Sequence, residues 1–157
     1  MNVSVHRSYA AVPDSVSYAR HDIALVAAQA GASREELERI SLAASEAVTN
    51  VVEHAYPHAG GEVEVFAALA GDEFALLVSD RGAGFRRDHR SEGLGMGLAL
   101  MCTACDAVTF AARSGGGIEV RLRVTLAAPR RRGEARQERG SVASASRAAS
   151  PSFSTTT

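Results

Sequence analysis

The sequence predicts an α/β two-layer sandwich, a mixed, mostly antiparallel sheet with helices on one of its faces. Short stretches in which apolar and polar residues alternate, as half-buried strands do, occur near the start, in the middle and towards the end of the chain. Longer stretches with helical spacing of apolar residues fall between them. The resulting order is β-α-α-β-β-α-β-β, and two of its strand pairs are joined by glycine turns short enough only for antiparallel neighbours.

Val3, Val5 and Tyr9 alternate in the first strand. Pro13-Asp14 then open a helix that runs to about Ala30-Gly31, because proline is tolerated at the first helical position and an acid suits the first turn. Ser33 and Glu36 have capping-box spacing and start a second helix, with apolar positions at Leu37, Ile40, Leu42, Val48, Val51 and Val52 and a stop near Pro57. Glu62-Val63-Glu64-Val65-Phe66 alternates as a strand, Gly71-Asp72 turns, and residues 74–79 return as the next. Residues 94–105 form the third helix. Residues 108–113, a turn at Gly115-Gly116-Gly117 and residues 118–126 make the final hairpin.

With 157 residues and 46% hydrophobic content, the chain suits one globular domain with a substantial core. Its formal charge of −1 hides a division: residues 1–128 hold 11 Arg against 16 acidic residues, while residues 129–157 hold 6 Arg against 2 Glu. The folded domain is therefore expected at 1–128, followed by a disordered basic tail, rich in Ser, Ala and Thr, at 129–157. A moderately acidic domain argues against specific nucleic acid binding, where phosphate contacts dominate affinity. The amino terminus lacks the charged and apolar segments of a secretory signal, and no uncharged run approaches the ~18 residues of a membrane span, so a cytoplasmic protein without a membrane partner is expected. Cys102 and Cys105 have no second ligand pair for zinc and are expected as reduced cysteines near the core or groove wall. All 17 cationic side chains are arginines; without lysine there is no P-loop.

Three segments carry chemistry. Asp80-Arg81-Gly82-Ala83-Gly84-Phe85 closes an apolar strand, where a carboxylate can accept from an adenine amino group and glycines let backbone approach the ring. Gly93-Leu94-Gly95-Met96-Gly97-Leu98 opens a helix, whose exposed N–H groups and dipole suit phosphate. Upstream, Glu46 and Asn50 lie about 40° apart on one helix face, with Glu53 near the same stripe. An amide oxygen there suits Mg²⁺, which takes few protein ligands beside nucleotide phosphates, and a carboxylate one turn away can accept a proton from an attacking hydroxyl.

Glu46-Ala47-Val48-Thr49-Asn50, then Asp80-Arg81-Gly82-Ala83-Gly84, then Gly95-Met96-Gly97 resemble the N, G1 and G2 boxes of the gyrase, Hsp90, histidine kinase and MutL ATPase superfamily. Followed by His54-Ala55-Tyr56, the first string resembles most the bacterial anti-sigma factor serine/threonine kinases, over roughly residues 3–126. The resemblance implies a Bergerat-type ATP-binding fold and the cofactors ATP and Mg²⁺. It also implies a partner-switching role: restraint of a sigma factor and phosphorylation of an anti-anti-sigma antagonist, with a homodimer admitted. Glu46 would be the general base or water-positioning residue and Asn50 the Mg²⁺ ligand. Asp80, Gly82 and Gly84 would bind adenine, and Gly93, Gly95 and Gly97 would border the lid and cradle phosphates, with Met96 and Leu98 packed nearby. Glu53 is counted with the nucleotide residues, and Arg20 would face the protein partners. The lid, residues 86–92, is shorter than in better-known kinases of that family, which leaves a non-catalytic, nucleotide-dependent binding module as the alternative. Arg81, Arg86, Arg87 and Arg90 are the cations nearest in sequence to the expected phosphates.

Overall fold

A computed structural model describes residues 3–58, 60–84 and 92–127, with the backbone alone for 92–94. Strand β1 (Ser4–Ala10) leads into helix α1 (Pro13–Gln29), which starts from an extended Val12 with proline in its first turn. Helix α2 (Arg34–Asn50) has the expected capping box: Ser33 Oγ accepts from the Glu36 N–H at 3.3 Å, and Glu36 Oε2 accepts from the Ser33 N–H at 2.6 Å. Strands β2 (Glu62–Ala70) and β3 (Glu73–Asp80), helix α3 (Glu92–Ala104), and strands β4 (Ala107–Ala112) and β5 (Ile118–Thr125) follow in the predicted order.

The second helix differs from the uninterrupted α-helix expected up to Pro57. At Val51–Ala55 it widens into a π-helical turn. The carbonyl of Ala55, at the end of this turn, accepts from the Ala83 N–H at 2.8 Å and so holds the loop after β3.

The strands are ordered β1-β2-β3-β5-β4, and every pairing among them is antiparallel, which simplifies the mixed sheet expected. Pleating turns Val63, Val65 and Ala67 of β2, Phe74, Leu76 and Val78 of β3, and Val120, Leu122 and Val124 of β5 towards the helices. Ile23 on α1, Ile40 and Val48 on α2, and Met101 on α3 meet them, each at most 1% exposed. Burying side chains of this size contributes about 1.5–3 kcal/mol apiece. Ala19 and Ala27 on α1 and Ala43, Ala44 and Ala47 on α2 are buried too, and such small side chains let the helix backbones approach closely.

Because β3 pairs Glu73 with Thr125 of β5 and Ser79 with Glu119, the sandwich has two distinct ends. Asp80 and the β4–β5 turn lie at one, where α2 also finishes; the β2–β3 turn and the segment after β5 lie at the other. Among the described residues no helix is long and apolar enough to cross a membrane. Residues 85–91, with most of the expected lid, and residues from 128 onward, with the whole of the tail expected at 129–157, lie outside the described residues.

Candidate functional site

Asp80 follows Phe74, Leu76 and Val78 in the pleat, so its carboxylate points to the helical side of the sheet. It is 4% exposed. Asp80 Oδ1 accepts from the Gly82 N–H at 2.7 Å, and among the described residues no hydrogen bond occupies Oδ2. A Cβ at Gly82 would run into the Ala55 carbonyl, which explains why a residue without a side chain stands there. Gly84, at φ +69°, keeps the left-handed backbone that glycine favours.

Two further segments hold this loop. Tyr56 Oη accepts from the Arg81 N–H at 3.1 Å and donates to the Glu62 carbonyl at 2.6 Å. On the other side the β4–β5 turn presses in: a Cβ at Gly117 (φ +93°) would collide with the Asp80 carbonyl, and one at Gly116 would lie 3.4 Å from the Gly82 carbonyl oxygen. Arg113, at the start of that turn, donates from Nη1 to Ser79 Oγ and to the Asp80 carbonyl, both at 3.1 Å. Its Nη2 lies 3.6 Å from Glu64 Oε2, while Glu64 Oε1 is hydrogen-bonded to His6 Nε2 at 2.8 Å. The His6 hydrogen bond and then the Arg113 charge hold the Glu64 carboxyl below its ordinary range, against the opposing effect of burial.

Glu46 and Asn50, both half-buried, converge on the beginning of α3. A Cβ at Gly97 would lie 2.9 Å from Glu46 Oε2 and 3.5 Å from Asn50 Oδ1. Gly93, Gly95 and Gly97 all fall within the first two turns of α3, where the earliest N–H groups have no intrahelical acceptor. Among the described residues nothing crowds Gly95, and Met96 and Leu98 are 71% and 39% exposed. Glu53 belongs to the π-helical turn, and its exposed carboxylate lies 3.7 Å from His54 Nε2. The structure thus joins Glu46, Asn50 and Gly97, and separately Asp80, Gly82 and Gly84.

Arg20 is exposed on α1. Asp22, one turn-half further, takes Arg7 Nη1 at 2.6 Å and the Tyr9 hydroxyl at 2.7 Å and so fixes how α1 sits on β1. Burial and then the Asp22 hydrogen bond push the Tyr9 hydroxyl up to about 12. The Arg81 side chain is exposed, and Phe85, Arg86, Arg87 and Arg90 lie outside the described residues. Cys102 is exposed and Cys105 buried, with desolvation pushing the Cys105 thiol up to about 11, where it is protonated and inert at neutral pH.

Tyr56, Glu64, Arg113 and Gly117 were not singled out as site residues by sequence reasoning. One signal for the last was present: three consecutive glycines exceed the needs of a hairpin turn.

The histidine kinase-like ATPase domain family matches residues 9–124. An anti-sigma F factor of Clostridium acetobutylicum is 27% identical over 130 residues, covering 76% of this chain and 91% of the relative. The serine-protein kinase RsbW of Bacillus subtilis is 32% identical over 121 residues, covering 67% of this chain and 76% of the kinase. Among solved structures, a Mycobacterium tuberculosis protein with RsbU and RsbW domains superposes with a TM-score of 0.63 at 28% identity. The alignment covers 82% of this chain but 34% of that longer one.

Proposed function

We propose that this chain, which belongs to the histidine kinase-like ATPase domain family, is an ATP-binding anti-sigma factor with serine kinase activity towards an anti-anti-sigma antagonist. The observation that carries the reading is the meeting of Glu46 Oε2 and Asn50 Oδ1 at Gly97, at the start of a glycine-rich helix. The relatives named for anti-sigma and serine kinase roles supply the partner class. In this reading Asp80 Oδ2 accepts from the adenine amino group, and Gly82 and Gly84 admit the ring. The N–H groups opening α3, around Gly93, Gly95 and Gly97, receive phosphate oxygens, while Met96 and Leu98 border them.

Phosphoryl transfer depends on positioning and charge stabilisation more than on covalent chemistry by the protein. The serine hydroxyl of the antagonist attacks the γ-phosphorus. Glu46 takes its proton as the new oxygen–phosphorus bond forms, and the bond to the bridging oxygen breaks to release ADP. Asn50 Oδ1 is a hard neutral oxygen beside a carboxylate, a donor set that fits Mg²⁺, and the amide would hold the ion there; when bound it would neutralise phosphate charge. Exposed Glu53 would lie at the edge of the nucleotide site. A cytoplasmic location follows from a sigma factor as partner, and Arg20 is assigned to the partner surface.

The test separates binding from chemistry. Asp80→Asn should lower ADP affinity by roughly ten- to a hundredfold, as for a buried hydrogen bond to a charged acceptor, and narrow the preference for ADP over GDP. Glu46→Gln should retain nucleotide but transfer phosphate from labelled ATP to antagonist about 10²–10⁴ times more slowly. Undiminished transfer by Glu46→Gln removes Glu46 from the mechanism, and equal wild-type affinity for ADP and GDP removes Asp80 from base recognition.

A further inference from the structure

Ser79 stands on the sheet face turned away from the helices, where a serine ordinarily meets water. It is nevertheless 2% exposed, and its hydroxyl accepts from Arg113. The same Nη1 donates to the carbonyl of Asp80, so one guanidinium nitrogen bridges two successive residues at the end of β3. Glu64, which β2 places directly opposite Ser79, faces Nη2 at 3.6 Å and is itself engaged by His6. A planar, permanently charged fork is suited to this combination of two acceptors and a flanking carboxylate.

The consequence passes through two successive peptide planes. The Asp80 carbonyl belongs to the peptide that leads into Arg81 and, one residue on, to the Gly82 N–H that holds Asp80 Oδ1. That plane also carries the Arg81 N–H, which Tyr56 Oη holds; freeing the carbonyl lets the plane tilt about this tie, and the next peptide, with the Gly82 N–H that orients the carboxylate, shifts in turn. The Gly117 approach, which leaves no room for a Cβ against the same carbonyl, limits movement on one side alone.

We propose that Arg113 is a positioning residue for base recognition: from the reverse face of the sheet it clamps the Asp80 main chain and thereby fixes the carboxylate that reads adenine. This rests on the assignment of Asp80 to the base, so the experiment tests the two separately. ADP and GDP would be titrated into wild type, Arg113→Ala, Arg113→Lys, Asp80→Asn and the double variant Arg113→Ala/Asp80→Asn, each beside a thermal melt. Arg113→Ala should lose about tenfold in ADP affinity, the scale of a charge-assisted hydrogen bond, with GDP affinity little changed; Arg113→Lys should recover part of the loss. In the Asp80→Asn background the same alanine substitution should scarcely alter the ADP-to-GDP ratio, because its effect runs through the carboxylate. A role confined to folding would instead lower both affinities in proportion, in both backgrounds, and would overturn the inference. So would an unchanged ratio in Arg113→Ala where Asp80→Asn abolishes the preference. If Asp80→Asn leaves the ratio unchanged, the base assignment fails and the inference falls with it. Should Arg113→Ala not fold, Arg113→Lys and Glu64→Gln decide: a narrowed ratio with an unchanged melt supports the clamp, and an unchanged ratio overturns it.

Discussion

A methyl group at position 97 would sit 2.9 Å from Glu46 Oε2, which is too close, yet the obstacle is the far end of a flexible side chain. Gly97→Ala should therefore fold with a melting temperature near that of wild type while displacing the carboxylate assigned to the proton transfer. Misplacing a catalytic group by about 1 Å can cost on the order of 10²-fold in rate, so single-turnover transfer should fall by about that factor with ADP affinity reduced far less. Equal losses of transfer and of ADP affinity would show that residue 97 matters for binding and not for placing Glu46. The Glu46–Asn50 pair was legible because helical spacing fixes which residues share a face. Its contact with Gly97 was legible only through family resemblance, since no local rule joins two helices separated by two strands. Arg113 and Tyr56 were not legible as site residues: their contacts with Asp80 and Arg81 depend on which strands become neighbours.

The elements divide the molecule into an end that holds the candidate site and an end that locks the fold. At the locking end Glu36, already part of the α2 capping box, also accepts from the Ala127 N–H at 2.6 Å. Asp106, between α3 and β4, accepts from the Thr125 N–H at 2.6 Å and from Arg39 Nη2 at 2.8 Å. These bonds hold both carboxyls below their ordinary values: for Glu36 chiefly the Ala127 N–H, for Asp106 chiefly the Thr125 N–H and then Arg39. A depressed folded-state value means that the unfolded chain takes up protons first as pH falls. The stabilisation is thus complete above the ordinary carboxyl values, 4.5 for Glu36 and 3.8 for Asp106, and is lost as pH drops through the lower folded values. Melting temperature should hold between about pH 7 and 5 and then decline. Glu36→Gln should lower it at pH 7, flatten the acid decline and leave ADP affinity intact; an acid decline identical to wild type would exclude Glu36 as a source. The capping box was visible in Ser33 and Glu36 because it is local. The second use of Glu36 joins chain segments that meet only after folding, and no local signal marked the π-helical turn at Val51–Ala55.

Across the whole molecule, the strand order separates α1, the helix proposed to face protein partners, from the loop proposed to hold the base. Element order was readable from periodicity and glycine turns, whereas the insertion of β5 between β3 and β4 was not, because both neighbours of a central strand are set by the global packing. That insertion brings the β4–β5 turn against Asp80, while α1 packs on α2, β1 and β2 towards the β1 edge of the sheet. Arg20 projects from the exposed face of α1, and Asp22, tied to Arg7 and Tyr9 of β1, keeps the helix from rolling. A residue so placed can contribute to association without supporting the core. Truncating an arginine anchor at an interface can cost 2 kcal/mol or more, about thirtyfold in affinity, whereas an exposed substitution usually changes stability by within ~0.5 kcal/mol. Arg20→Ala should accordingly weaken capture of a sigma factor by about that factor while ADP affinity and melting temperature persist. Asp22→Asn, which weakens the tie to Arg7 and lets α1 shift, should weaken capture as well but lower the melting temperature with it. Titrating a sigma factor into both variants, with thermal melts alongside, distinguishes a contact residue from one that merely holds the helix. Capture by Arg20→Ala equal to wild type would move the partner surface away from this face of α1.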